Sequence, residues 1–392
     1  MDKISISDIK KTLLVFLLWN PLFLLLLSNS YTFTVISCLF VFFLTIFIVK
    51  YCKKEYVKAI FFNIICIVSI LGYVEVCFTH LHTDRIIPNL YESRENYYFN
   101  KPYLKRVFID PEFTSTYITN CQGYRIGKNV NPSVPVNNCD ILFVGDSFTQ
   151  GGQVDYEEMF STIIQDSLQQ YKVVNAGISG AGIFDTYYYF IDEGYKLSPK
   201  YVVFQLCAFN DFFNVGKREI GFKEKLVEYS NVYRYVRHNL HSSNNSKIKR
   251  YTEPFFDSKE DNVNYNIFFK ESSDIKERDK RNFVKCLHAF NEAVKTVGGE
   301  LIVFLIPSKE QVSSECLQEV MDSYNLSLAD LDIQYLNRWL SQETEQLNIP
   351  FVDLFQSFKD ADKFPYFVHD EHLNTMGHII VADNLLKQFE NK

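Results

Sequence analysis

The sequence has nine cysteines but no Cys-x-x-Cys pair and no Cys/His quartet at zinc spacing, so no metal framework is expected. Internal repeats and low-complexity tracts are also missing, which removes solenoid and disordered architectures. Positive charge is in deficit. Forty Lys and Arg against 47 Asp and Glu leave a net charge of −7, so a phosphate backbone finds no global attraction and nucleic acid is not an expected partner. Apolar residues are plentiful: 47% hydrophobic against 22% charged over 392 residues describes a folding chain of two to three structural units.

The first eighty residues pose a different solvent problem from the rest. Apolar runs at about 12–28, 32–49 and 57–78 each approach the roughly 17 to 25 residues that a helix needs to cross hydrocarbon. Only Asn29, Ser30 and Tyr31 separate the first two, and Asn20-Pro21 predicts a kink in the first. Lys3, Lys10 and Lys11 precede the first run, while Lys50, Lys53, Lys54 and Lys58 lie between the second and third. Three crossings put both basic groups on one face, which the positive-inside rule makes cytoplasmic. Residues 1–79 therefore read as a three-helix transmembrane region with a cytoplasmic N-terminus. Residues 80–138 read as an extracytoplasmic connector interrupted by five prolines, and everything beyond lies in the periplasm or outside the cell. In such an oxidising setting Cys121 and Cys139, which flank a Pro/Asn-rich stretch, could close a loop.

From Cys139 the pattern alternates. CDILFVGDS, KVVNAG, KYVVFQLC, ELIVFLIPS and PFVDLF read as strands, and amphipathic runs at about 156–168, 183–195, 277–297, 328–347 and 376–389 read as helices between and after them. This predicts an α/β fold with a parallel sheet sandwiched by helices, broken by a charged, aromatic insertion at about 212–274 with one helix at 225–240. In open α/β sheets ligands collect outside the carboxyl ends of the strands. Those ends carry Gly145-Asp146-Ser147, Asn175-Ala176-Gly177 and Asn210-Asp211, with Asp370-Glu371-His372 after the last strand.

These residues can do chemistry together. A serine hydroxyl needs a base before it attacks a carbonyl, and His372 suits Ser147; Asp370 can accept the other ring N–H and fix the tautomer. The Ser147 and Gly177 N–H groups and the Asn210 amide are sensible donors to an oxyanion, each worth about 3 kcal/mol when well aimed. Taken singly, Ser147 could cap a helix, Gly177 could be a turn glycine and Asn210 an Asx-turn residue; only their conjunction argues for a site.

In order, GDSFTQG, NAGISG, AFND and DEHLNTMGH resemble blocks I, II, III and V of the SGNH (GDSL-like) hydrolases, over about residues 139–392. YITNCQGYR at 117–125 and LIVFLIPSKEQV at 301–312 also resemble bacterial membrane-attached or secreted members of that group. The resemblance implies a flavodoxin-like three-layer α/β/α sandwich, catalysis by Ser147, His372 and Asp370, and an oxyanion hole of Ser147, Gly177 and Asn210. Two positions depart from the pattern: Ala208 stands at the usual glycine of block III, and the acid precedes His372 by two residues rather than three.

The expected activity is that of a membrane-anchored serine esterase working through an acyl-enzyme, with no cofactor and no metal. Its expected substrate is an acylated envelope glycan, acetyl being the expected acyl group, or a small ester. Two alternatives stand beside it: an O-acyltransferase, served by a membrane partner that supplies the acyl donor, and a catalytically silent glycan-binding scaffold.

Overall fold

The computed structural model describes residues 6–28, 31–80, 89–208, 212, 221–237, 268, 270, 272 and 274–389. They form two compact units, Met1–Asn89 with Phe222–Ser246, and Leu90–Gly221 with Lys247–Lys392.

The first unit is helical: α1 (Ile6–Leu18), α2 (Pro21–Ser28), α3 (Tyr31–Tyr51) and α4 (Glu55–His80). Two segments, Thr32–Tyr51 and Glu55–Phe78, are long and apolar enough to cross a membrane. The first apolar run does not form a third such helix. Pro21 has no N–H to continue α1, and the chain restarts there: Asn20 Oδ1 accepts from Phe23 N–H at 2.9 Å, while its amide donates to Leu17 carbonyl at 3.0 Å and to Tyr73 Oη at 2.9 Å. The expected kink is thus a full break into pieces of 13 and 8 residues. The insertion contributes Phe222–Tyr229 and a second helical stretch at 231–237, where one helix at 225–240 was expected. They part at Ser230, where Glu75 of α4 accepts hydrogen bonds from Ser230 Oγ at 2.7 Å, from Asn231 N–H and from Val232 N–H at 3.3 Å, supplying the anion that a helix N-terminus favours.

The second unit opens with two antiparallel hairpins: β1 (Tyr91–Ser93) with β2 (Tyr98–Asn100), and β3 (Lys105–Ile109) with β4 (Thr114–Ile118). The main sheet follows, from β5 (Ile141–Val144), β6 (Val173–Asn175), β7 (Tyr201–Cys207), β8 (Glu300–Ile306) and β9 (Phe351–Asp353). Its order is β6-β5-β7-β8-β9, parallel throughout, which is the doubly wound order with a switch point between β5 and β7.

The long apolar runs in β7 and β8 follow from burial on both faces. Alternate side chains divide between two cores. Leu142, Val202, Phe204, Val303 and Leu305 pack against the helices Ile183–Asp192 and Asp274–Thr296, whereas Ile141, Phe143, Val203, Ile302 and Phe304 face Phe160–Ser167 and Thr375–Phe389. Each fully buried Phe on this sheet contributes roughly 1.5–3 kcal/mol. Where a helix at 328–347 was expected, a short turn at Leu328–Asp330 precedes Tyr335–Gln346. The break has a cause: Asp332 N–H donates to Phe268 carbonyl and Lys270 N–H to Asp330 carbonyl, so this backbone bonds to the insertion instead of to itself. Cys121 and Cys139 are both free thiols, so the suggested bridge is not formed.

Candidate active site

The ends of β5 and β6 each place one part. β5 ends at Val144, and Ser147 opens the one-turn helix Ser147–Gln150, so its N–H has no intrahelical acceptor. Asp146 fixes that turn: it is fully buried, its Oδ1 accepts from Phe148 N–H at 2.9 Å and its N–H donates to Gln205 of β7 at 3.1 Å. Gly177 follows β6, and its N–H donates to Asn175 Oδ1 at 2.9 Å. The reason for glycine there is packing. A Cβ at 177 would lie 2.3 Å from Gln150 N and 2.5 Å from Thr149 C, inside the backbone that follows the serine. The segments bearing Ser147 and Gly177 are therefore packed backbone against backbone. Asn210 and Asp211 lie outside the described residues; Ala208 just before them is buried, its N–H on Ile306 carbonyl at 3.0 Å.

Asp370 and His372 come from the loop between Phe355–Lys359 and Thr375–Phe389. His372 Nε2 lies 2.7 Å from Ser147 Oγ, and its Nδ1 lies 2.7 Å from Asp370 Oδ1, which also accepts from His372 N–H at 2.9 Å. Two residues of separation are enough because the carboxylate folds back on both the ring and the backbone of His372. Burial by itself would raise the Asp370 carboxyl, but the hydrogen bonds and charge of His372, helped by Lys309, outweigh it and hold the group below its ordinary value. An ionised Asp370 keeps the proton on Nδ1 and leaves the Nε2 lone pair to Ser147, the polarity that general-base activation requires.

Three residues that the sequence did not single out support this line. The Phe148 ring sits 5.0 Å from the imidazole. The Gln153 side-chain amide lies 2.9 Å from Nδ1, a second polar neighbour beside Asp370. Lys309, with its side chain wholly buried, donates to Val368 carbonyl at 3.2 Å and stands 4.0 Å from Glu371, anchoring the loop from behind. Lys309 falls in the IPSKEQV stretch and was the most accessible to sequence reading; Gln153, six residues after the serine, carries no such signal. His378 does not belong to the reactive set: burial, with the charges of Arg125 and His372, pushes it down to about 3, and its Nδ1 accepts from Phe160 N–H at 3.3 Å. His369 is exposed beside the site.

The GDSL-like lipase/acylhydrolase family matches residues 143–380, a span that holds Ser147, Gln153, Gly177, Lys309, Asp370 and His372. The chain belongs to that family. It is accordingly a serine hydrolase acting on ester bonds. No curated protein matches it. Among solved structures the acylhydrolase is similar to the acetyl xylan esterase AlAXEase, at 19% identity over 63% of this chain and 98% of that one, with a TM-score of 0.37. It is similar as well to a catalytic mutant of an acetylxylan esterase from Geobacillus stearothermophilus, at 16% identity over 64% and 93% with a TM-score of 0.36. A lipolytic G-D-S-L family member from Veillonella parvula matches at 17% identity over 64% and 98%, with a TM-score of 0.37.

Proposed function

We propose that this acylhydrolase is a membrane-anchored, extracytoplasmic esterase that removes acyl groups, acetyl in the first instance, from an envelope glycan or related ester through an acyl-enzyme on Ser147. The observation that carries the reading is the continuous hydrogen-bonded line from Ser147 Oγ through His372 to Asp370. Ser147 Oγ bonds to the ester carbonyl carbon as its proton passes to His372 Nε2. The tetrahedral adduct then expels the alcohol, which takes that proton. Water attacks the acyl-serine in turn, giving its proton to His372, and collapse returns the proton to Ser147 and releases the acid. Asp370 orients the ring and balances the imidazolium. The proposed oxyanion donors are the Ser147 and Gly177 N–H groups and the Asn210 amide, with the Gly177 N–H turning from Asn175 to the oxyanion as charge develops.

The anchor is proposed to cross three times, with α1 and α2 together making one broken crossing. Mostly exposed apolar side chains on α3 and α4 support a lipid environment, and Lys10 and Lys11 share the sign of Lys50, Lys53 and Lys54, which supports a cytoplasmic N-terminus. A glycan substrate is favoured by that location.

The test is direct. The detergent-solubilised chain is expected to hydrolyse p-nitrophenyl acetate, to accept a fluorophosphonate on Ser147 by mass spectrometry, and to lose both in Ser147→Ala. Labelling without hydrolysis, with acyl transfer on adding a sugar acceptor, would favour the transferase. Absence of both would leave the scaffold. A single engineered cysteine at Asn391 should react with impermeant reagents only from outside the cytoplasm.

A further inference from the structure

The loop bearing Asp370 and His372 is closed on itself. Phe367 N–H donates to His372 carbonyl at 3.1 Å, Tyr366 and Leu373 form an antiparallel bridge, and the Asn374 side-chain amide donates to the Phe364 and Tyr366 carbonyls at 2.8 Å each. At its apex three successive N–H groups converge on one carboxylate from elsewhere: Val368 on Glu112 Oε1 at 2.6 Å, His369 and Asp370 on Glu112 Oε2 at 2.7 and 2.9 Å. Successive amides turned toward one point form a concavity suited to an anion, and here the chain supplies that anion itself.

Glu112 stands at the tip of the β3–β4 hairpin. Pro111 sets the turn, Asp110 Oδ1 accepts from Glu112 N–H at 3.0 Å and Asp110 N–H donates to Phe113 carbonyl at 2.9 Å, so the carboxylate projects from a rigid tip. Beside it the Phe113 and Phe367 rings meet at 5.1 Å. β4 also grips the segment after the serine: Ser115 Oγ donates to Gly152 carbonyl at 2.5 Å, and Thr116 N–H to Asp155 Oδ1 at 2.8 Å. One hairpin thus touches the stretch that follows Ser147 and the loop that carries His372.

We propose that Glu112 is a positioning residue of the esterase, and that the β3–β4 hairpin is a brace setting the distance between nucleophile and base. The inference rests on the reading of Ser147, His372 and Asp370 as the catalytic set. One amide that Glu112 holds is that of Asp370, whose side chain orients the imidazole. Releasing it lets the apex turn, and the bonds from Asp370 to His372 and from His372 to Ser147 lengthen together. The carboxylate touches no reacting atom in this account, so its loss is felt in kcat rather than in substrate affinity.

The full-length protein in detergent, as wild type, Glu112→Ala and Glu112→Asp, is compared by p-nitrophenyl acetate kinetics and by amide hydrogen exchange. Glu112→Ala is expected to lower kcat by about 10- to 100-fold with KM within about twofold, since small misplacements of reacting groups cost this much. Exchange should quicken at Val368, His369 and Asp370 while β5, β7 and β8 stay protected, and Glu112→Asp should recover part of both effects. Wild-type kcat in Glu112→Ala, unchanged exchange at those three amides, or faster exchange throughout the sheet would each overturn the proposal. A wild-type chain inert to both the ester and a fluorophosphonate refutes the catalytic reading instead, and the exchange comparison still reports on the brace.

Discussion

Ser147 and His372, 225 positions apart in the chain, meet at 2.7 Å from Oγ to Nε2. The contact is made by two loops at the same end of the sheet, one fixed by a helical turn and the other by its own internal hydrogen bonds. Its dependence on the surrounding groups gives the following expectations.

Asp370 accepts from both the ring and the backbone of His372. Asp370→Asn keeps the size but offers an amide that no longer stabilises the imidazolium or enforces the tautomer. Steady-state kinetics should show kcat lower by roughly 10³- to 10⁴-fold with the thermal midpoint little changed. Activity within a few-fold of wild type would remove Asp370 from the mechanism.

Gly177→Ala drives a methyl group into the Thr149–Gln150 backbone, where no side chain can step aside. The expected cost is about 1–3 kcal/mol, read as a lowered denaturant midpoint, accompanied by loss of esterase activity because the serine turn must shift. An alanine variant as stable and active as wild type would show that the two loops are not in such close contact.

Arg125, almost fully buried, donates to the carbonyls of Gln150 at 3.0 Å, Val154 at 2.5 Å and Gly151, and stacks on Tyr117 at 5.0 Å. Burial pulls its guanidinium down to about 10, still charged at neutral pH. Arg125→Met should strand these acceptors at about 1–3 kcal/mol for each one left dry, and Arg125→Lys should restore little, because an ammonium cannot reproduce the fork. Urea unfolding of both variants measures this.

His378 is held at about 3 by burial, against an ordinary 6.5. Between these values the unfolded chain binds a proton that the folded one refuses, so the group's contribution to stability is intact above pH 6.5 and is lost as pH falls toward 3. Stability measured from pH 7 to pH 4 should therefore decline, and His378→Gln should flatten the decline. Equal slopes in the two proteins would assign the acid sensitivity elsewhere.

Much of this was legible before any fold was known. The central strands at 141–144, 201–207 and 300–306 appear as apolar runs because they are buried on both faces, while the edge strands at 173–175 and 351–353 are shorter and less buried. The short break at 331–334 and the full break at Pro21 were harder to foresee. One depends on backbone bonds to Phe268 and Lys270, the other on Tyr73 of a neighbouring helix, and neither partner is near in sequence.

The sequence by itself determined the family and the parallel α/β plan, and it nominated Ser147, His372 and Asp370, since each is written in local pattern: period, strand ends and short motifs. Only the tertiary structure decided what holds them. That Gly177 packs on backbone, that Gln153 and Lys309 attend the His372 loop, and that Glu112 receives three of its amides are facts about distance between remote segments. Hydrogen bonds act over about 3 Å, and which groups come that close is fixed by the packing of the whole sheet and its loops.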